Sequence, residues 1–321
     1  MFAFRGIGVS FSIFFILYSA LSIAVCLAWR RVWLYGHQCS AKSCADLLFV
    51  LRMAPGILAV GVTLIFAVPS FLLLEPRAVE ESMGAMAMVL ASCGTAVLLA
   101  GTWNAASALV RAWRTVARWS SEASVIGCSD VNSRQAVYVL RTFAAAPPLT
   151  AAGILRPSVW LSGAAEFVLT GRELQSALRH EVVHVRRRDN LRKLFLRLVA
   201  FPGMAQLESA WREASEMAAD DAAVSSASEA LDLAAAVIKL SRLAPLQPPA
   251  ELATALVHSP AESVNARVER LIAWTERRQN RSSGYSLGYS VCAALAVVGA
   301  LAFTYSGVLV RVHAATEWLV R

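Results

Sequence analysis

Two histidines and their neighbouring acids carry most of the chemistry this 321-residue chain can offer. The run His180-Glu181-Val182-Val183-His184 sets histidines at i and i+4. On a helix both imidazoles then share one face and can address a single ion, with a glutamate beside the first of them. This arrangement suits zinc-assisted hydrolysis. Zinc lowers the pKa of its water towards ~7 and polarises a scissile carbonyl, while Glu181 takes the proton and passes it to the leaving amine. A catalytic zinc normally has three protein ligands and keeps one position for water. Glu216-Met217-Ala218-Ala219-Asp220 supplies a second i, i+4 pair. Glu216 is the natural third ligand, and Asp220, one turn on, is suited to hydrogen-bond a ligating histidine and fix its ring. Glu213 competes with Glu216 on spacing alone. No residue stands out as the oxyanion stabiliser; Arg156 and His258 are simply unassigned.

The elements that must position these residues are mostly helical. Thr170 and Glu173 have capping-box spacing, and Leu174, Ala177, Leu178 and Val185 follow at helical intervals, so a helix is predicted from Thr170 to about Asp189. Further helices are predicted over Asn190 to Phe201, Gln206 to Ser225, Ser228 to Leu243 and Ser263 to Arg278. Gln135 to Leu140 and Pro157 to Ser162 read as strands, with turns at Pro147-Pro148 and Gly153 between them. The strand Pro157 to Ser162 is either an edge to which an extended peptide adds by main-chain hydrogen bonds or an ordinary core strand.

Composition places this domain on a membrane. Hydrophobic residues make up 57% of the chain and charged residues 16%, against about 25% charged in an ordinary soluble domain. An ordinary soluble enzyme is thereby excluded. The apolar residues collect in runs long enough to cross a ~30 Å hydrocarbon core as helices. Four are predicted: Phe11 to Trp29, Pro55 to Leu74, Met83 to Val110 and Tyr285 to Val310. The first is read as a retained anchor, because Arg30-Arg31 follow it and no small-x-small cleavage site does. The chain then divides into a membrane region (1–110), a charged domain (111–283) and a fourth span with a short tail (284–321).

Arg30, Arg31, Lys42 and Arg52 in the first connection, and Arg111, Arg114 and Arg118 after the third span, outweigh the basic residues of the acidic second connection. The positive-inside bias therefore puts the charged domain in the cytoplasm and both termini outside. The net charge of +8 fits attraction to anionic lipid head groups. Arg186-Arg187-Arg188 has no accompanying aromatic platform or DNA-binding motif, so nucleic-acid binding is not expected. The six cysteines make no disulfide framework: Cys26, Cys93 and Cys292 lie in apolar helices, and Cys39 and Cys44 share a short loop where they could pair or bind metal, although a reducing side and the lack of a second pair favour the plain reading.

The run from Arg179 to Leu191, with His180-Glu181-Val182-Val183-His184 and Arg186-Arg187-Arg188-Asp189-Asn190, resembles the zinc-site helix of the BlaR/MecR-type integral membrane metallopeptidases. Gly153-Ile154-Leu155-Arg156-Pro157-Ser158-Val159-Trp160-Leu161 is similar to that family's G-x-L-R-P strand, and Glu216 to Asp220 to its E-x-x-x-D helix. The layout of three spans, a domain and one span is also the family's. The resemblance covers most of the chain and is strongest from Gly153 to Ala223.

It implies a mainly α membrane protein with four transmembrane helices and a cytoplasmic α+β gluzincin-like domain between the third and fourth. It also implies one catalytic Zn2+ on His180, His184 and Glu216, with Glu181 as general base and Asp220 in support, and it favours Glu216 over Glu213. The family's sensors carry an extracellular penicillin-binding domain after the fourth helix, whereas about ten residues follow Val310 here, so β-lactam sensing through such a domain is not expected.

The expected activity is that of a bacterial inner-membrane zinc endopeptidase in regulatory signalling, cutting a repressor-like or membrane-proximal protein, the chain itself included, with a separate sensor protein as a candidate partner. The alternatives are a quality-control protease of the HtpX or CAAX-processing type, disfavoured by the short spacing from His184 to Glu216, and a non-proteolytic membrane receptor or scaffold. Ser70, Asn104, Gly94 and Gly101 are candidates for helix packing within or between chains.

Overall fold

The computed structural model describes residues 2–36, 40–75, 83–121, 123–129, 137–142, 146–243, 252–255 and 261–274, with 307, 309–312 and 314. Among the described residues, three helices are long and apolar enough to cross a membrane: Phe2–Arg31, Ala41–Leu74 and Ala85–Ser120. The predicted span Tyr285 to Val310 lies, but for its last residues, outside the described residues, as do Cys39, Cys292 and His258.

Helix α1 runs over Phe2–Gly36, α2 over Ala41–Val62, α3 over Val68–Leu74 and α4 over Ala85–Ser120. All three membrane-compatible helices outrun the apolar stretches read from sequence, because helicity does not stop where apolar composition does. Helix α2 starts where the Ser40 hydroxyl accepts from the Ser43 amide at 3.2 Å, fourteen residues before the predicted start at Pro55. Arg52 is therefore no loop charge. It sits inside α2, 1% exposed, and donates through Nε and Nη2 to Glu208 at 3.1 and 3.0 Å. Between α2 and α3 the helix widens to a π turn at Thr63–Ala67, just before Pro69, whose missing N–H and bulky ring disrupt the regular ladder there.

The outer faces of these helices are apolar, with Phe4, Leu27, Leu73 and Trp103 each at least 70% exposed, as a lipid-facing surface requires. The inner faces meet through small residues. A Cβ on Gly94 would stand 2.5 Å from the Phe11 carbonyl oxygen of α1, and one on Gly101 would stand 2.1 Å from the Leu198 carbonyl oxygen. Both glycines thus pack within the chain, whereas Asn104 is exposed.

After α4 the chain forms β1 (Ala123–Ser129), β2 (Val137–Thr142), β3 (Leu149–Ala152) and β4 (Ser158–Ser162), then α5 (Gly163–Val168), α6 (Gly171–Arg187), α7 (Asp189–Leu198), α8 (Ala205–Ala223), α9 (Ala227–Arg242), β5 (Thr254–Ala255) and α10 (Ala261–Ile272). The sheet order is β1-β2-β4-β3-β5, with β2 and β4 parallel and the other pairs antiparallel. The edge reading of Pro157 to Ser162 is therefore overturned. As β4 this strand is paired on both sides, so its ladder groups are already used.

Helix α6 lies across β3 and β4, with α8 and α9 beside it. Ala177, Val182 and Val185 of α6 share one core with Leu149, Val159 and Leu161 of the sheet and with Leu233, Val237 and Leu240 of α9. A second core joins the domain to the membrane helices: Cys44, Ala45 and Leu48 of α2 pack on Leu207, Ala210 and Trp211 of α8.

Candidate metal centre

Helix α6 is fixed at its start and turned sharply at its end. The Thr170 hydroxyl accepts from the Glu173 amide at 3.4 Å and Glu173 Oε2 accepts from the Thr170 amide at 2.8 Å, closing the capping box expected from sequence. Lys239 of α9 donates to the same Glu173 oxygen at 2.7 Å, so the cap also ties α6 to its neighbour. At the other end Arg188 adopts φ 55°, and its amide reaches the carbonyls of His184 and Val185. A left-handed residue after a helix breaks its direction. Here it allows α7 to begin at once and brings Asp189 back against the last turn of α6.

His180, Glu181 and His184 are all buried on α6, and α8 brings Glu216 to the same place. Nε2 of His180 and Nε2 of His184 are 3.1 Å apart, Oε2 of Glu216 is 3.4 Å from the first, and Oε1 of Glu216 is 3.5 Å from the second. Nitrogen and oxygen ligands about 2.0–2.1 Å from a tetrahedral zinc sit roughly 3.3 Å from one another. The three side chains therefore fit one ion. Glu213 is exposed whereas the Glu216 side chain is largely buried, so burial separates the two glutamates that spacing alone did not.

Each histidine has a carboxylate behind it. Nδ1 of His184 is 2.7 Å from Oδ2 of Asp189, which also accepts from the Ser215 hydroxyl at 2.9 Å. Nδ1 of His180 is 3.0 Å from Oδ1 of Asp220, the partner expected from sequence. With a carboxylate oxygen beside each Nδ1, both Nε2 atoms face the position an ion would take. Arg267 of α10 completes the arrangement. It donates to Asp220 from Nε at 2.9 Å and Nη2 at 2.7 Å, and its Nη1 is 3.1 Å from Oε2 of Glu216.

Sequence reasoning assigned no role to Asp189, Ser215 or Arg267. Asp189 carries one usable signal, an acid opening a new helix five residues after His184. Arg267 carries a weaker one, the i, i+3 pair it makes with Arg270. Arg156, by contrast, is exposed in the turn from β3 to β4 and makes no hydrogen bond or ion pair with the cluster.

The charges in this pocket shift one another. Burial pushes the Glu181 carboxyl up to about 7, against the pull of the two histidines. Both Glu181 oxygens are buried, and the Ala151 backbone amide of β3 opposes the rise. Burial alone would lower His184, but the Glu216 charge and the Asp189 hydrogen bond outweigh it and carry the ring up to about 10. Against the same burial, His184 and Arg267 hold Glu216 well below the usual carboxylate range, and Arg267 and His180 hold Asp220 low. The site is thus a pair of acid-backed imidazoles and an ionised glutamate, with a second buried carboxyl, that of Glu181, beside them.

Compared with known proteins, the chain matches no family model and no curated protein.

Proposed function

We propose that this chain is an integral membrane zinc endopeptidase of the BlaR/MecR type that its sequence resembles. In this reading residues 111–283 form a gluzincin-like domain on the cytoplasmic side of a bacterial inner membrane, and Tyr285 to Val310 is a fourth span. The observation that carries it is the approach of His180 Nε2, His184 Nε2 and the Glu216 carboxylate to within 3.1–3.5 Å, the separation that ligands of one zinc require, beside a buried glutamate. A helix with idle histidines has no reason to back each with a carboxylate and bury all of them.

Zinc, when bound, supplies a Lewis acid for the scissile carbonyl and acidifies water. Glu181 takes up a proton at its carboxylate and returns it to the leaving amine. Asp189 and Asp220 hold the imidazoles in one tautomer and orientation. The packing of α8 on α2 and of α7 on α4 keeps the site close to the membrane helices, which favours a membrane-proximal protein as substrate; a repressor-like protein is the substrate class that the family resemblance adds.

The test is cleavage of a peptide library by the detergent-purified chain, read by mass spectrometry. The parent should give fragments that a zinc chelator suppresses, and Glu181→Gln should lower their rate by about 10²–10⁴-fold while the helical signal stays unchanged. Equal cleavage by Glu181→Gln would sink the peptidase reading.

A further inference from the structure

We propose that Arg267 is the positioning residue of this metal centre, setting the Glu216 carboxylate directly and the His180 ring through Asp220; the inference rests on the zinc reading above. Helix α10 buries Leu271, with Trp274 just beyond it, in the core it shares with α9, which leaves its arginine face on α8. Arg267 is 3% exposed there, and its planar guanidinium spends three nitrogens on two carboxylates: Nε and Nη2 on Asp220 at 2.9 and 2.7 Å, Nη1 at 3.1 Å from Glu216. The Asp220 oxygen taken by Nη2, Oδ1, is the one that stands 3.0 Å from His180 Nδ1. One rigid fork therefore orients one ligand directly and a second through its supporting acid.

A buried cation beside a metal site has two opposed effects. Its charge repels the incoming ion, and its hydrogen bonds hold the ligands ready. Loss of a partner that orients a metal ligand typically costs 10–100-fold in metal affinity. We infer that orientation outweighs repulsion here. Arg270, one turn on, provides the internal control. It binds Asp221 and the Met217 carbonyl and so docks α10 on α8 without touching Glu216 or Asp220.

The experiment measures zinc affinity by chelator competition on the full-length chain in detergent, for the parent, Arg267→Met, Arg267→Lys and Arg270→Met, with helical content and thermal unfolding recorded for each. The same proteins are then saturated with Co2+ and their visible absorption compared. Arg267→Met should weaken zinc binding by about 10–100-fold and alter the cobalt spectrum. Arg267→Lys, which keeps the charge but not the fork, should follow it, and it decides the question should Arg267→Met fail to fold. Arg270→Met should match the parent in both readouts.

Tighter binding by Arg267→Met would show that repulsion dominates. Full affinity in Arg267→Lys would show that charge suffices, and an equal loss in Arg270→Met would reduce Arg267 to helix docking. Each result overturns the proposal. A parent that binds zinc with all variants unchanged overturns this inference alone, whereas a folded parent that binds none overturns the zinc reading with it.

Discussion

The polar cluster between α6 and α8 and the contacts among the membrane-compatible helices solve opposite problems. In the cluster His180, Glu181 and Asp220 are wholly buried, and stability depends on matching charges and hydrogen-bond partners. Among the long helices the inner faces are built from closeness instead. Gly94 admits the α1 backbone, Gly101 admits the end of α7, and the Ser12 hydroxyl donates to the Ala87 carbonyl at 2.9 Å. Helix α8 belongs to both regions. Its first turns receive α2 through Glu208 and Trp211, and its later turns present Glu216 and Asp220 to the histidines. The contrast teaches that the proposed site is not a module hung below a membrane anchor, because one rigid helix is shared between them.

The sharpest way to break that contrast is at the charge buried where α2 meets α8. Glu208→Ala strands Arg52 without its carboxylate and should cost about 3–5 kcal/mol, since an uncompensated buried charge is left behind. Arg52→Met should cost less, because the Glu208 side chain keeps 28% of its exposure and water can take over. Denaturant unfolding in detergent, followed by the helical signal, checks both; equal or negligible costs would mean that the pair is incidental. Next in size is Gly101→Val, whose Cβ would meet the Leu198 carbonyl oxygen at 2.1 Å. Overpacking of this kind should cost about 1–3 kcal/mol and leave zinc content unchanged. Gly61→Ala, with nothing within 4 Å of its Cβ, is the control for helical glycine replacement.

The smallest expected effect lies at the seam of α6 and α9. Hydrogen bonds from the Ser225 hydroxyl and amide, with help from Arg179, hold Glu229 down to about 2 from an ordinary 4.5. A depressed carboxylate stabilises the fold above its ordinary value and loses that contribution as pH falls from about 4.5 towards 2. Glu229→Gln should therefore flatten the acid side of the stability profile in that window and cost under about 1 kcal/mol at neutral pH, as expected of a partly exposed pair. A profile identical to the parent's would remove Glu229 from the account.

Much of the local structure was legible because it is written in nearby residues. The capping box of α6, the helical spacing of His180 and His184, and the breakers Pro202-Gly203 after α7 and Pro245 after α9 all act within a few positions. The sheet was harder. β3 is four residues long and buried throughout, so it shows no alternation, and it lies between turn signals at Pro147-Pro148 and Gly153. β5 has two residues and exists by pairing with Thr150 and Ala151. Arg52 read as a loop charge because its partner, Glu208, is remote in sequence. Arg267 went unassigned for the same reason, its partners being remote in sequence, and Asp189 because its contact with His184 requires the left-handed turn at Arg188. Spacing can nominate groups that meet on one helix, but it cannot identify those that meet only after helices pack.

Zinc is counted in the detergent-purified chain, with His184→Ala and Glu216→Ala prepared in parallel and their folding checked by helical content. The parent should hold about one zinc per chain on its three protein ligands, and both variants should lose most of it. A well-folded parent that takes up no zinc even when it is supplied, or variants that keep it in full, would contradict the account.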